Sequence, residues 1–338
     1  MKYLFLVNPA AGKGSQKGRR SAEKNLARME VFIRQIRQTA EKLGCEARIE
    51  QTEGTGDAER KAADFAARTK GEPARIYACG GDGTLNEVIN GVYGFPDIEV
   101  GVFPIGTGND TVRNFRDPSG HPIRKEEFLN PEKQMLGKAQ AVDLLRYEGV
   151  LNGRFQTRYC INMLNNGFDC NVVACAGRLK KKRFISGSVA YLIAVFLMFV
   201  KMQGIRLAVE GDGQVLSRGN VLLCAAANGC YCGGGIKGLP MAVMNDGKIE
   251  LSILKNMKRR TFLRLLPRYA DGTYLSDPQA DRLVIRGKFS RVSLLPDGEE
   301  SFFTCADGEI TETTGIQIEA VSGGIRFIVP ETADAEEK

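Results

Sequence analysis

Residues 74–87 read ARIYACGGDGTLNE and decide how the first part of this chain folds. A short apolar run leads into a turn that carries three glycines, and an amphipathic stretch follows at 88–92. This order predicts a strand, a turn and a helix. Because glycines leave the turn without side chains, its N–H groups can close around an anion beside the positive helix N-terminus. The turn therefore suits a phosphate group; a plain tight turn with Asp82 as a local cap is the alternative.

Two further turns follow strand-like runs. YLFLV at 3–7 precedes NPAAGKG at 8–14, and VGVFPI at 100–105 precedes GTGND at 106–110. In an open α/β sheet such turns all emerge at the carboxyl edge, where ligands bind. None of these turns has the P-loop spacing or the dinucleotide-binding glycine pattern. The sequence therefore predicts one nucleotide site built from three separate turns.

Composition sets broad limits on the class of protein. The 338 residues suffice for two domains, and 43% hydrophobic with 26% charged residues is typical of a globular protein. The net charge of +7 indicates an anionic partner such as a nucleotide or a lipid headgroup, and we expect no nucleic acid. Nine cysteines without zinc spacing favour a reducing cytosol. His121 is the single histidine, which argues against histidine-based catalysis.

The pattern of apolar residues predicts an α/β plus β protein. Residues 1–138 alternate strands and helices, with helices over 21–43 and 58–68, as in a Rossmann-like, doubly wound parallel sheet. Residues 121–138 form an irregular charged connector. Residues 139–330 form a mainly antiparallel domain, with one strand over 154–163, and the segment at about 311–330 can pack back on the first domain.

No stretch is predicted to span a membrane. The apolar centre of a helix predicted over 187–203 is about twelve residues long, where a span takes about twenty. The basic runs at 178–183 and 258–264 are either solvated faces or contacts to anionic headgroups. We expect a cytoplasmic protein with peripheral membrane association. The oligomeric state stays open, a homodimer included.

The ordered motifs resemble the diacylglycerol kinase catalytic family, in its soluble bacterial lipid kinase branch. The match runs from the turn at 8–12 through 80–87 and 106–110 to 228–235, 246–247 and 307–309. The resemblance implies an N-terminal kinase domain and a C-terminal β-sandwich domain. It also implies an ATP-dependent kinase with Mg²⁺ that phosphorylates a lipid hydroxyl at a membrane surface, with diacylglycerol giving phosphatidic acid as the leading choice.

The resemblance also implies the nucleotide site. Its candidate residues are Asn8, Pro9, Gly12, Thr52, Gly80, Gly81, Asp82, Gly83, Thr84, Asn86, Glu87, Gly106, Thr107, Gly108, Asn109 and Asp110. Thr52 could equally be a simple helix cap. Asp82 would repel phosphate unless a divalent cation lies between them or its carboxylate holds the loop through backbone N–H groups. The resemblance favours the nucleotide and metal region for Asp82.

Asp-Gly-Glu occurs twice, at 297–299 and 307–309. The first copy is typical of a hairpin tip, whereas the second follows a buried strand, as the catalytic copy of the family does. Glu309 is therefore the candidate general base, and Asp143 matches the upstream aspartate that the family pairs with it. For Glu299 we expect only a turn charge.

A structural Mg²⁺ is implied at residues 243–248. Asp246 would supply the carboxylate, and Val243 and Lys248 would supply carbonyls. Without the resemblance this stretch is a hairpin turn. The family often has Ala-Pro ahead of the loop, whereas this chain has Pro240-Met241-Ala242.

Two other functions remain open from the sequence. One is an NAD kinase-like enzyme with a soluble substrate, and the other is a regulator that binds nucleotide or lipid without turnover. The motif at 106–110 and the late Asp-Gly-Glu favour the lipid kinase.

Overall fold

The computed structural model describes residues 1–11, 19–168, 170–172, 175, 179, 193–194, 197 and 204–332. Gly12 lies outside these ranges, as do almost all residues of the basic run 178–183 and of the helix predicted over 187–203. Within the described ranges no helix combines the length and the apolarity that a membrane crossing requires.

The chain divides into two compact units. Unit 1 comprises Met1–Val142 and Gly323–Lys338, and unit 2 comprises Asp143–Ser322. The chain leaves unit 1 within strand β5 (Lys138–Leu151) and returns to it within strand β14 (Glu309–Val329). The first boundary between the units thus follows residue 142, whereas the sequence pattern predicted it after residue 138.

Unit 1 is built on a parallel sheet with the strand order β14-β4-β3-β1-β2. Its strands are β1 (Lys2–Val7), β2 (Glu46–Gln51), β3 (Ala74–Gly80) and β4 (Ile98–Pro104). Its helices are α1 (Arg19–Lys42), α2 (Asp57–Arg68), α3 (Asp82–Val92), α4 (Lys125–Phe128) and α5 (Pro131–Leu136). The predicted α/β class is confirmed for this unit by its alternating strands and helices.

The sequence pattern predicted an irregular connector over 121–138. This prediction is wrong, because the stretch contains α4 and α5. The side chain of Asn130 caps α5 by accepting from the N–H of Lys133 at 3.2 Å, and Pro131 occupies the first helical position. Both are strong helix-start signals. Local capping chemistry thus outweighed the charged composition of the stretch.

The core of unit 1 explains why its strands are apolar throughout. Phe5, Tyr77 and Phe103 are fully buried on one face of the sheet, where Ile36 of α1 packs against them. Leu4, which points to the opposite face, is equally buried. Both faces of this sheet are therefore covered, as is typical of parallel sheets.

Unit 2 is mainly antiparallel, as predicted. Its strands are β5, β6 (Arg154–Cys160), β7 (Met163–Gly167), β8 (Ile205–Gly211), β9 (Gln214–Ala227), β10 (Ile249–Lys255), β11 (Val284–Phe289), β12 (Arg291–Pro296), β13 (Phe302–Ala306) and β14. One path of the sheet runs β11-β10-β9-β7-β13-β14, while β8 pairs with β9 and β12, and β12 pairs with β14. Helices α6 (Arg259–Asp271) and α7 (Ala280–Leu283) follow β10.

The single strand predicted over 154–163 is two strands, β6 and β7. The break falls at Ile161 and Asn162, whose N–H groups donate to the carboxylate of Asp307 at 2.9 and 3.1 Å. A buried carboxylate that draws in successive amides prevents them from joining a regular ladder. The correction thus has a cause that is distant in sequence.

Candidate active site

The three turns predicted to bind nucleotide lie together at one edge of the unit 1 sheet. Strands β1, β3 and β4 are parallel neighbours, so their carboxyl ends meet at the same edge. The N–H of Asn8 donates to the carbonyl of Cys79 at 2.9 Å, and the N–H of Gly106 donates to the carbonyl of Gly80 at 3.0 Å. The Asn8 amide also donates to Thr84 Oγ1 at 3.0 Å. Each turn is therefore tied to the central one.

Close packing of main chain explains the glycines. A Cβ placed on Gly106 would lie 2.5 Å from the Cα of Gly81, and one on Gly80 would lie 2.3 Å from Thr84 Oγ1. Gly81 is the residue before α3, and within the described chain no side chain caps this helix end. The edge thus presents bare main chain and a helix N-terminus, which is suitable for anionic oxygen.

The carboxylate of Asp82 holds two of the turns together. It accepts from the N–H groups of Asp110 and Thr111 at 3.2 and 3.3 Å, and from Thr111 Oγ1 at 3.1 Å. The sequence left two explanations for an acid in a phosphate turn: a bound divalent cation, or a carboxylate that holds the loop through backbone N–H groups. The hydrogen bonds of Asp82 agree with the second explanation. The position of Asp82 between the turns also leaves it close to any ligand that they bind.

Glu87 serves the same purpose for the turn after β2. Its two oxygens accept from the N–H groups of Gly56 and Ala58 at 2.9 and 3.1 Å, at the start of α2. In that turn Thr52 is buried, and its N–H donates to the carbonyl of Val7 at 2.9 Å. Glu87 therefore acts on the predicted site through the position of this turn.

The remaining polar side chains of the turns are mostly buried. Asn109 adopts a left-handed conformation with φ of 54°, and its amide donates to the carbonyl of Gly106 at 2.6 Å. Its Oδ1 is buried and accepts no hydrogen bond from any described residue. Asn86 is also buried and accepts from Asn90 at 3.2 Å, whereas Thr107 is exposed. The polar side chains of Asn86 and Asn109 are thus buried, and Thr107 lies at the solvent-exposed edge.

Two cationic residues near these turns were missed by the sequence analysis. Burial lowers the pKa of Lys125, and the positive charge of Arg113 lowers it further, while Glu126 and Asp82 oppose the change. Arg113 Nε lies 3.5 Å from Asp110 Oδ1. Two positive charges beside the glycine turns add to their preference for an anion. Lys125 begins α4, in the stretch that the sequence pattern treated as an irregular connector.

In unit 2, the second Asp-Gly-Glu forms the hairpin between β13 and β14. Ala306 pairs with Glu309 across a two-residue loop, in which Asp307 and Gly308 have φ of 47° and 93°. Positive φ at both loop residues is typical of the Asp-Gly hairpin turn. The prediction of a hairpin tip at residues 297–299 is therefore wrong, since β12 and β13 pair with other strands and not with each other. Glu309 is exposed at the start of β14.

The carboxylate of Asp307 is enclosed by main-chain donors. It accepts from the N–H groups of Ile161, Asn162 and Met163 at 2.9 to 3.1 Å, and Cys160 Sγ lies 3.0 Å away. Burial and this negative charge raise the pKa of the Cys160 thiol well above its usual range. Because three charge-assisted bonds hold the residue before Gly308, the loop that precedes Glu309 is rigid.

Asp143 is joined to the loop that was predicted to bind Mg²⁺. Its buried carboxylate accepts from the N–H of Gly247 at 2.6 Å, and its own N–H donates to the carbonyl of Met244 at 2.8 Å. The Asn228 amide donates to the Asp143 carbonyl at 2.7 Å. Asp143 thus fixes the base of this loop, a contact that its motif in the sequence did not indicate.

The loop itself offers one carboxylate to a cation. Asp246 Oδ1 accepts from the N–H of Lys248 at 3.0 Å, and its other oxygen forms an ion pair with Lys288. Val243 is exposed. Within the described ranges no three His, Cys, Asp or Glu side chains gather as a metal cluster. One carboxylate with carbonyls and water still fits the donor set of Mg²⁺, provided that the Lys288 ammonium moves away.

The chain thus combines an α/β unit whose glycine turns meet at one sheet edge with an antiparallel unit that carries acidic residues. Residues 2–147 match the family model described as the diacylglycerol kinase catalytic domain. Residues 162–329 match the model described as the YegS C-terminal NAD kinase beta sandwich-like domain. The chain belongs to the diacylglycerol kinase catalytic family and is a phosphotransferase of the lipid kinase type.

Relatives cover most of the chain. A protein named "Diacylglycerol kinase" from Bacillus subtilis (strain 168) is 29% identical over 78% of this chain and 81% of its own length. A protein named "Probable lipid kinase YegS-like" from Alcanivorax borkumensis is 26% identical over 85% of this chain and 88% of its own length. The crystal structure of a diacylglycerol kinase from Bacillus anthracis str. Sterne has a TM-score of 0.63 at 19% identity, over 98% of this chain and 97% of that one. The last similarity shows the fold.

Proposed function

We propose that this chain transfers the γ-phosphate of ATP to the free hydroxyl of diacylglycerol and forms phosphatidic acid. The observation that carries the proposal is the meeting of three side-chain-poor turns at one sheet edge, in a chain of the lipid kinase family. Each turn supplies N–H groups, and Lys125 and Arg113 add positive charge. Triphosphate oxygens need this set of donors.

Glu309 is the residue that we propose as general base. It takes the proton of the lipid hydroxyl while the hydroxyl oxygen attacks the γ-phosphorus, and the bond from that phosphorus to the bridging oxygen of ADP breaks. Its exposure makes the carboxylate accessible to a substrate, and the rigid Asp307-Gly308 turn fixes its main chain. Asp143 remains the proposed second acid of the pair.

Mg²⁺ belongs to the same proposal. When it is bound, it neutralises phosphate charge during transfer. We assign Asp82 to the nucleotide and metal region and Asp246, with the carbonyls of Val243 and Lys248, to a structural cation. Lys288 competes for Asp246, so we expect cation binding at this loop to strengthen when Lys288 is replaced by Met.

The test of the function is a substrate panel. Purified protein is incubated with ATP and Mg²⁺ and, in separate reactions, with diacylglycerol, a sphingoid base, a prenol or NAD, and products are identified by mass. We expect phosphatidic acid from diacylglycerol and no NADP. A phosphorylated product from another lipid would keep the kinase and change the substrate, whereas NADP would favour the NAD kinase alternative. The absence of any phosphorylated product would refute the proposal.

The nucleotide site has its own test. Gly106→Ala places a Cβ against Gly81, which pushes the turns at 80–84 and 106–110 apart. Because the ATP-binding N–H groups are then misplaced, we expect the KM for ATP to rise about tenfold or more. Gly54→Ala is the matched control, because its Cβ meets open space and its φ is ordinary. Equal effects from both substitutions would show that the close approach of the turns does not matter.

A further inference from the structure

We infer that helix α6 and the residues just before it form the surface by which this protein docks on an anionic membrane. The sequence left 258–264 open between a solvated face and a headgroup contact. In the structure these residues begin a helix of 13 residues that packs in unit 2. The inference rests on the lipid kinase function proposed above, since such an enzyme meets its substrate in a bilayer.

Charge is concentrated in this segment. Residues 255–277 contain six Lys or Arg and two Asp, so this segment alone supplies more than half of the chain's net charge of +7. Residues 255–270 contain no acidic residue at all. The cationic residues are Lys255, Lys258, Arg259, Arg260, Arg264 and Arg268. An anionic surface is the complementary partner for such a segment.

The helix has a buried side that fixes its orientation within unit 2. Phe262, Leu265 and Tyr269 are 7 to 8% exposed, and Phe262 and Tyr269 belong to a hydrophobic cluster of unit 2. They recur at the spacing of a helix face. The opposite side of α6 therefore points consistently outward.

The outward side combines charge with one large apolar side chain. Leu263 is 53% exposed, and Arg260 and Pro267 lie one turn before and after it, both exposed. Lys258, immediately before the helix, is exposed as well. An apolar residue among cationic ones is typical of helices that lie in the headgroup region, where arginine and lysine contact phosphates and leucine reaches the acyl boundary.

A buried acid, Asp277, positions two of the cationic side chains. The Asp277 side chain, 6% exposed, forms ion pairs with Arg268 at 2.9 Å and Arg264 at 3.4 Å. Arg264 also donates to the Gln279 side chain at 2.7 Å. One carboxylate thus orders two arginines and leaves their combined charge positive. Nucleic acid would be attracted by the charge alone, whereas the exposed Leu263 favours a bilayer.

The experiment compares two matched triple variants of the full chain. Lys258→Gln with Arg260→Gln and Leu263→Gln removes two charges and one exposed apolar side chain from α6. The control variant, Val31→Gln with Arg34→Gln and Arg37→Gln, also removes two positive charges and one exposed apolar side chain, but from the exposed side of α1. Both are sedimented with vesicles of phosphatidylcholine alone or mixed with phosphatidylglycerol, and turnover is measured separately on a dispersed short-chain diacylglycerol.

We expect the unmodified chain to bind the mixed vesicles and not phosphatidylcholine alone. The α6 variant should lose about 100-fold in vesicle affinity, from about fivefold per charge and a further loss at Leu263, while the α1 variant binds normally. Turnover of dispersed substrate should be unchanged in both. The inference is overturned if the unmodified chain does not bind mixed vesicles, if the α6 variant still binds, or if both variants lose affinity equally. If vesicle binding depends on α6 but no lipid is phosphorylated, the docking surface stands and the proposed function falls.

Discussion

The two Asp-Gly-Glu copies of unit 2 have the same three residues and opposite surroundings. At 297–299 the acid lies near the surface: the Asp297 side chain is 15% exposed and pairs with the exposed Arg218 at 3.0 Å and Arg206 at 3.4 Å. At 307–309 the acid is buried and bound by three backbone N–H groups. Surface ion pairs contribute little to stability, whereas a buried carboxylate that loses its partners is costly.

This difference shows that the tripeptide carries no role by itself. Both glycines have positive φ, 82° at Gly298 and 93° at Gly308, so the local backbone preference is shared. Only the second copy forms a two-residue hairpin, and its aspartate is held by three buried backbone N–H groups. The contrast agrees with our proposal that Glu309, the exposed glutamate after the buried Asp307, acts on the substrate.

The largest expected difference between the copies is in turnover. We expect Glu309→Gln to lower kcat by about 10²- to 10⁴-fold, because the amide cannot take the hydroxyl proton. Glu299→Gln, the matched control, should retain normal kcat. Steady-state kinetics with diacylglycerol and ATP measures both. Turnover that survives Glu309→Gln would remove the base assignment.

The second difference is in stability. We expect Asp307→Asn to lower the free energy of unfolding by about 3 kcal/mol, because Asn loses the negative charge and turns an NH2 group toward at least one of the buried N–H donors. Urea unfolding followed by circular dichroism measures the loss. Asp297→Asn should have a much smaller effect. Comparable losses at the two positions would contradict the contrast between buried and surface acid.

The two glycines sharpen the comparison further. Gly298→Ala and Gly308→Ala each force a side chain into the left-handed region, so we expect each to cost about 1 kcal/mol of stability. Only Gly308→Ala should also lower kcat, by about tenfold, because it displaces the main chain before Glu309. Paired unfolding and kinetic measurements separate the two effects. A loss of kcat at Gly298 would link the first copy to catalysis.

The smallest effect concerns pH and salt. Arg218, and then Arg206, hold the pKa of Asp297 below its ordinary value of 3.8. A depressed pKa stabilises the fold above the unfolded value, and this contribution is lost as the pH falls through the folded pKa. The stability difference between Asp297→Asn and the unmodified chain should therefore be present at pH 7, and should shrink below pH 3.8 and in high salt. A difference that persists in acid or in salt would show that Asp297 does not stabilise the fold through its ion pairs with these two arginines.

Local signals were sufficient for the framework of the proposed nucleotide site. Apolar runs of strand length that end in glycine turns predict parallel strands whose turns share an edge, and the structure brings the turns at 8–11, 80–84 and 106–110 together there. The roles of the acids were not local. Asp82 bonds to an N–H 28 residues away, and Asp307 to one 146 residues away. No pattern in the sequence marks such partners.

The amino-acid order by itself determined the glycine turns, the change from an α/β pattern to antiparallel strands, and the concentration of positive charge at 255–268. These depend on neighbours within a few residues, where steric freedom, periodicity and charge act directly. The tertiary structure alone decided which Asp-Gly-Glu forms the hairpin, that Asp82 and Glu87 hold main chain, and that 259–271 shows one face to solvent. A carboxylate's role depends on which donors surround it, and burial is a property of the packed chain.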